Sequence, residues 1–225
     1  MSYFNDLFFG IYPYIAIAVF LIGSWIRFDR EAYTWKAGSS QMLSSKGMRL
    51  ASNLFHVGII FILMGHVVGL LTPEFIYHSV ISTESKQLLA MVSGGFFGII
   101  CFVGLFMLLK RRLTDPRIRA TSSKSDIFIL VLLMVQLVLG LFTIIASTQH
   151  MDGSVMVLLA TWAQSIVTFQ VSQAAEAMQT VGLIYKLHVF VGLTMVLAFP
   201  FTRLVHAISA PIWYLGRRFQ IVRQR

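Results

Sequence analysis

The chain has 225 residues, of which 57 % are hydrophobic and only 12 % are charged, and its formal net charge is +9. Soluble globular domains contain about 25 % charged residues, so this composition excludes a soluble protein and indicates an integral membrane protein. The single cysteine, Cys101, excludes a disulfide within the chain and an iron–sulfur cluster held by this chain alone.

Five apolar stretches are long enough to cross a membrane, since one crossing needs about 20 apolar residues. The sequence therefore predicts an all-α integral membrane protein with one domain over residues 1–225. Its helices cover residues 5–26, 51–71, 88–109, 127–146 and 183–202, and a C-terminal tail covers residues 207–225. We expect the middle of the nearly uncharged segment 147–182 to form an amphipathic helix on the membrane surface, with Trp162 at headgroup depth.

The 18 lysines and arginines are unevenly distributed along the chain. Sixteen lie between helices one and two, between helices three and four, or after helix five, whereas Lys86 and Lys186 lie on the opposite side. Because basic segments face the cytoplasm, we expect the N-terminus outside and the C-terminus inside. The basic excess is then explained by topology and contact with membrane lipid, which argues against nucleic-acid binding.

Four of the six histidines, His56, His66, His188 and His206, lie in the region of helices two and five. An ionisable side chain at membrane depth is a functional candidate by default, although a single histidine can also join two helices by a hydrogen bond. Since the two helices run in opposite directions, depth pairs His56 with His206 and His66 with His188. Each pair can supply two axial ligands to a haem iron, which predicts two haems stacked across the membrane.

The histidine spacing differs between the two helices. At 1.5 Å per residue, His56 and His66 are about 15 Å apart along a helix, whereas His188 and His206 are about 27 Å apart and share one stripe. We expect a tilt or a kink at Pro200 to absorb the difference. Small residues leave room for a flat macrocycle or for close helix packing; they are Gly58, Gly65, Gly69, Gly182 and Gly192.

A histidine-containing membrane transporter is the alternative from a different class. Transporters usually combine histidines with carboxylates inside the membrane. The predicted helices hold Asp6 and Asp126 only at their edges and no acidic residue in their interiors. The sequence therefore favours a fixed electron carrier over an ion pathway.

Several motifs occur in a fixed order along the chain: "IYPYIA", "ASNLFHVG", "LKRRL", "PRIRAT", "QHMDGS", "WAQSIVTF" and "RLVH". With the four histidines, this set resembles the cytochrome b (gamma) subunit of bacterial membrane-bound respiratory nitrate reductase, over essentially the whole chain. The resemblance implies five transmembrane helices in the bacterial cytoplasmic (inner) membrane and two haem b groups. It implies His56 and His206 as ligands of the inner haem, and His66 and His188 as ligands of the outer haem.

The same resemblance implies the activity. Quinol is the substrate, oxidised near the outer haem, and electrons pass to a cytoplasmic iron–sulfur subunit and a molybdenum catalytic subunit that reduces nitrate to nitrite. Lys86, Gly65 and His66 are the implied quinol-binding residues. Segment 171–180 receives no role from this comparison.

Three basic residues are candidate partners for the anionic haem propionates. Arg203 lies three residues before His206, and Arg112 lies at similar depth at the end of helix three. Lys186 is the candidate near the outer haem and also competes with Lys86 for quinol. Topology and lipid contact explain the two arginines equally well.

Other dihaem cytochrome b subunits stay open on the residues alone. They include those of formate dehydrogenases, hydrogenases and heterodisulfide-reductase-like enzymes. The chain contains no nucleotide motif and no cysteine cluster, so the terminal electron acceptor must belong to another subunit.

Overall fold

The computed structural model describes residues 2–210 and residue 216, and the regular secondary structure of these residues is helical. Within them, five helices are long and apolar enough to cross a membrane, which confirms the predicted all-α transmembrane class. The main helices are α1 (Tyr12–Arg30), α2 (Met48–Leu71), α3 (Thr83–Thr114), α4 (Lys124–Ser147), α5 (Ser154–Val167), α6 (Val171–Ala177) and α7 (Leu183–Ala198). A π-helical stretch, Asp6–Ile11, precedes α1. Short helical turns cover Ser2–Asn5, Ala32–Thr34, Glu74–Tyr77, Pro116–Ala120, Phe199–Phe201 and Arg203–Ala207.

Helix α3 is longer at both ends than the predicted 88–109. Its first turn is capped by Ser82, whose side chain accepts a hydrogen bond from the Ser85 amide at 3.3 Å. It ends just before Pro116, which starts a separate short helix. Hydropathy locates only the apolar centre of such a helix, whereas capping lets the helix continue through polar residues. Lys86 therefore lies within the first turns of α3.

Helices α2 and α3 are in direct backbone contact. A Cβ added to Gly104 would lie 2.3 Å from the Phe55 amide nitrogen, and one added to Gly58 would lie 2.5 Å from Cys101 Cβ. Only glycine fits at such a crossing, since small residues let helix backbones approach closely. Gly58 thus serves helix packing, one of the two uses that the sequence left open.

The helices follow each other in space in the order α2, α3, α4, α7 and α1. Helices α2 and α7 do not pack closely against each other, although both carry histidines that face the same region. They also bury the smallest shares of their apolar spans within the chain, 6 % and 11 %, against 17 % to 28 % for the other three. The histidine-bearing helices are therefore held apart by α3 and α4.

The segment between α4 and α7 packs against the end of the bundle. The indole nitrogen of Trp162 donates to the Phe9 carbonyl oxygen at 2.9 Å, so Trp162 is tied to the N-terminal stretch by a polar contact. The Gln164 side chain donates to the Leu70 carbonyl at 3.0 Å. The predicted helix exists as α5, but its polar groups join it to the bundle. With 14 residues it is too short for a crossing of about 20.

The predicted fifth helix, 183–202, corresponds to a helical span over Leu183–Phe201, but the last part of this span is not α-helical. Helix α7 stops at Ala198, and a 3-10 turn containing Pro200 follows. Thr202 then adopts an extended conformation with φ −125° and ψ 179° before the next 3-10 turn, which carries His206. Proline lacks the amide hydrogen that a continuing helix needs. His188 and His206 therefore do not share one continuous helical stripe, and the break lies at Pro200, where the sequence allowed a kink.

Arg27 stabilises the break. Its Nη1 donates to the carbonyl oxygens of Pro200 at 2.6 Å and of Thr202 at 2.8 Å, two groups that the interrupted helix leaves without amide partners. The same side chain donates to Thr34 at 2.8 Å, in the segment that follows α1. One arginine thus fixes the turn that carries His206. The predicted tail, 207–225, lies outside the described residues beyond residue 210, apart from residue 216.

Candidate functional site

The structure brings the four membrane histidines together in two pairs. The ring centroids of His56 and His206 are 6.3 Å apart, with planes at 70°. Those of His66 and His188 are 6.0 Å apart, with planes at 38°. These are the two pairs that depth and helix direction predicted.

Both separations suit two imidazoles that bind one metal atom from opposite sides. An imidazole nitrogen lies about 2 Å from a bound transition metal, which puts the two ring centroids about 6 Å apart. Each pair supplies two nitrogen ligands and no more, and a haem iron needs two axial ligands because its macrocycle provides the other four. The ring geometry therefore fits a haem at each pair.

Three of the rings are oriented by backbone carbonyl groups. His56 Nδ1 donates to the Ser52 oxygen at 2.7 Å, and His66 Nδ1 donates to the Ile62 oxygen at 2.8 Å. His206 Nδ1 donates to the Arg203 oxygen. A hydrogen bond at one ring nitrogen fixes the tautomer and leaves the other nitrogen, Nε2, as the metal ligand.

His188 is positioned differently from the other three. Its ring lies against Gly140 of α4, where an added Cβ would be 3.0 Å from His188 Cε1. Its Nε2 lies 3.5 Å from the side-chain nitrogen of Gln136. Sequence reasoning missed Gly140 and Gln136, because α4 carries no histidine and one glycine in an apolar helix gives no distinct signal.

The glycines expected to make room have four different surroundings. Gly58 belongs to the contact between α2 and α3, as described above. Gly192 faces the Gln136 side chain, with an added Cβ at 3.0 Å. Gly65 and Gly69 have open space beside them, since an added Cβ would meet nothing within 4 Å, and Gly182 makes only ordinary contacts.

Arg203 and Arg112, the expected propionate partners, share one carboxylate. Arg203 Nε lies 2.8 Å from Asp126 Oδ1, and Arg112 Nη1 lies 3.5 Å from Asp126 Oδ2. All three side chains are less than a fifth exposed. The cluster carries two positive charges and one negative charge. It lies close to His206, because the His206 ring donates to the Arg203 carbonyl oxygen.

Lys86 contacts an aromatic ring. Its Nζ lies 3.6 Å from the centroid of Tyr77, and among the described residues it has no hydrogen-bond partner although the atom is buried. Lys186, the competing candidate, donates to the Gln179 carbonyl at 3.2 Å. A buried ammonium without a hydrogen-bond acceptor is well placed to bind a polar ligand.

Comparison with known proteins identifies related chains. The family model described as nitrate reductase gamma subunit matches residues 5–225. The chain is 54 % identical to the respiratory nitrate reductase 1 gamma chain of Escherichia coli (strain K12), covering all of both chains. It is 36 % identical to the nitrate reductase gamma chain of Bacillus subtilis (strain 168), covering 98 % of this chain and 99 % of that one. It is 24 % identical to the Hdr-like menaquinol oxidoreductase cytochrome b-like subunit of Archaeoglobus fulgidus, covering 88 % and 75 %.

The arginine cluster leads to a stability prediction. Asp126→Asn leaves two poorly exposed guanidinium groups facing each other without a carboxylate. We expect a loss on the order of 3 kcal/mol in the free energy of unfolding, as for other broken ion pairs of low exposure. The measurement is thermal unfolding of the purified protein in detergent. Asp29→Asn is the matched control, because its pair with Arg30 is 69 % and 80 % exposed and contributes about 0–1 kcal/mol. Equal melting temperatures for Asp126→Asn and the wild type would contradict the importance of the cluster.

Proposed function

Because this chain belongs to the nitrate reductase gamma subunit family, we propose that it is a dihaem cytochrome b that takes electrons from quinol at the outer face of the membrane. The chain is a cytochrome b subunit of respiratory nitrate reductase, a quinol:nitrate oxidoreductase, and a multi-pass protein of the inner membrane. Among the dihaem complexes that the residues alone left open, membership of the family favours nitrate reductase. It also argues against a transporter.

The observation that carries the proposal is the pairing of the four imidazole rings at 6.3 and 6.0 Å. His56 and His206 would hold the inner haem b, and His66 and His188 the outer one. When bound, the two haems supply one-electron carriers at two depths of the membrane. The chain itself contributes ring orientation, through the carbonyl groups of Ser52, Ile62 and Arg203, and an apolar surrounding.

The orientation proposed from the sequence puts the His56–His206 end in the cytoplasm. Its support is the positive-inside rule, since sixteen of the 18 lysines and arginines belong to the sequence segments that this orientation assigns to the cytoplasm. The partners proposed there are the iron–sulfur subunit and the molybdenum subunit that reduces nitrate. Electrons would then leave the chain on the side where its basic segments lie.

The quinol site is proposed at the opposite end, around Lys86, Gly65 and His66. The Lys86 ammonium is buried and has no hydrogen-bond partner among the described residues, so it is available to a quinol oxygen at about 2.7–2.9 Å. The open space beside Gly65 supports the approach of a flat headgroup next to His66.

The arginine cluster is proposed to act on the inner haem through its net positive charge. Asp126 neutralises one of the two guanidinium charges, and the remaining charge would stabilise anionic propionates in a region of low dielectric constant. Lys186 is proposed for the same role at the outer haem.

Histidine substitutions test the ligand assignment. We expect His56→Ala or His206→Ala to abolish the inner haem and leave the outer one, and His66→Ala or His188→Ala to do the reverse. The reason is that one imidazole cannot fill both axial positions of an iron. The measurement is a redox titration of the b-type absorbance of the purified complex.

His150→Ala is the matched control, because this histidine lies in the loop after α4, away from both ring pairs. It should keep both haems at unchanged potentials. A His66→Ala variant that retained two haems with wild-type potentials would overturn the assignment.

Lys86→Ala tests the quinol site. We expect both haems to remain, while haem reduction by quinol falls at least tenfold because a charge-assisted hydrogen bond is lost. Nitrate reduction by an artificial donor that feeds the cytoplasmic subunits directly should stay at the wild-type rate. Normal quinol oxidation by Lys86→Ala, together with a loss in Lys186→Ala, would move the site to Lys186.

A further inference from the structure

A chain of hydrogen bonds leads outward from the neighbourhood of Lys86. The Tyr77 hydroxyl lies 3.3 Å from Thr83 Oγ1, and Thr83 Oγ1 lies 2.8 Å from His78 Nε2. His78 Nε2 also lies 3.2 Å from Glu74 Oε1. Tyr77 is partly buried, whereas the side chains of His78 and Glu74 are about half exposed, at 49 % and 55 %. The hydrogen bonds thus lead from the partly buried phenol of Tyr77 to the imidazole of His78 at the surface.

The inner end of this chain touches the proposed quinol site. Lys86 Nζ lies over the face of the Tyr77 ring, 3.6 Å from its centroid. A quinol hydroxyl that is bound beside the ammonium would therefore lie next to the Tyr77 side chain. The contact joins the hydrogen-bond chain to the group that we assign to quinol binding.

The outer end of this series of hydrogen bonds opens into a pocket of about 380 Å³. Residues 78–84 line it, and they include His78, Thr83 and Glu84. A pocket of this size at the surface admits water, which takes up protons from an exposed imidazole.

The proposed quinol site itself contains no proton acceptor. An ammonium such as Lys86 only donates, and Gly65 has no side chain. His66 has both ring nitrogens committed, one to the Ile62 carbonyl and the other to the iron of the proposed function. Quinol oxidation releases two protons for every two electrons, so a separate acceptor is required.

We propose that Tyr77, Thr83 and His78 form the proton-release path for quinol oxidation, with Glu74 beside its exit; this rests on the proposed function. As the quinol is oxidised to quinone, its two O–H bonds break and its two electrons go to the haem irons, one at a time. For each electron, one proton passes to the Tyr77 oxygen as the phenol donates its own proton to Thr83, and the Thr83 hydroxyl donates to His78 Nε2. The resulting imidazolium then gives up its Nε2 proton to water by way of the Glu74 carboxylate, 3.2 Å away, so Nε2 can accept the second proton.

The charged surroundings of His78 suit a transient imidazolium. Glu74 Oε1 lies 3.2 Å from its Nε2, and Lys86 Nζ lies over the Tyr77 ring. The loop before α5 packs on Thr83 through Gly153, where an added Cβ would lie 2.4 Å from Thr83 Cγ2. That loop carries Asp152, whose pKa is held below its usual range by the hydrogen bond from the Ser154 hydroxyl.

Three variants remove one hydrogen-bonding group each and keep most of the shape. Tyr77→Phe retains the ring under Lys86, Thr83→Val retains the branched side chain, and His78→Ala opens a site for added imidazole. In membranes that contain the whole complex, we measure haem reduction by a short-chain quinol in H₂O and in D₂O. His150→Ala and Tyr33→Phe are matched controls outside the path.

Each of the three variants should keep both haems and slow quinol-driven haem reduction by about tenfold or more, since positioned proton transfer contributes at least that much. Their solvent isotope effect should exceed that of the wild type because proton transfer becomes limiting. Imidazole in the buffer should restore His78→Ala and leave Tyr77→Phe slow, a rescue that a purely structural defect would not show.

A wild-type rate and isotope effect in any one of the three variants overturns the path, provided that Lys86→Ala is slow in the same assay. If the wild type contains no b haem, or if Lys86→Ala oxidises quinol normally, the proposed function fails instead. The two failures are therefore distinguishable.

Discussion

The structure depends on keeping two pairs of imidazole rings about 6 Å apart between helices that do not pack against each other. Direct contact between α2 and α7 would close the space that a flat cofactor needs. Helices α3 and α4 prevent it: α2 is fixed to α3 through Gly104 and Gly58, and the His188 ring rests on Gly140 of α4. The stability of the fold therefore comes from neighbours of the histidine helices, and the histidines are left free to bind.

The two ends of the molecule use polar groups for different purposes. At the His206 end, Arg27 stabilises the interrupted helix and Asp126 holds Arg203 and Arg112. These contacts set the position and the charge around one ring pair. At the other end, Lys86 is left without a hydrogen-bond partner among the described residues and lies over Tyr77, next to an outward chain of hydroxyl and imidazole groups. The charged groups at the first end are paired with one another, whereas those at the second end are the ones proposed to bind quinol and to release its protons.

The sequence predicted those features that follow from length and direction. Apolar stretches of about 20 residues located the membrane helices, and the opposite directions of helices two and five paired His56 with His206 and His66 with His188 by depth alone. The sequence offered a kink at Pro200 as one way to absorb the histidine spacing, and the helix is interrupted there. It did not predict how the break is stabilised, because local propensity does not reveal that a distant arginine, Arg27, binds the freed carbonyl groups. Gly140, Asp126 and Tyr77 were missed for the same reason: their importance arises from contacts between helices that are far apart in the chain.

The most direct test of the two-haem arrangement is a measurement on the purified wild-type complex. Haem b per gamma subunit is determined from the pyridine haemochrome, and the oxidised complex is examined by electron paramagnetic resonance. Two ring pairs that each bind one iron predict two haem b per chain, both low-spin with two imidazole ligands. One haem per chain, or a high-spin signal from an iron that lacks a second imidazole, would contradict the arrangement.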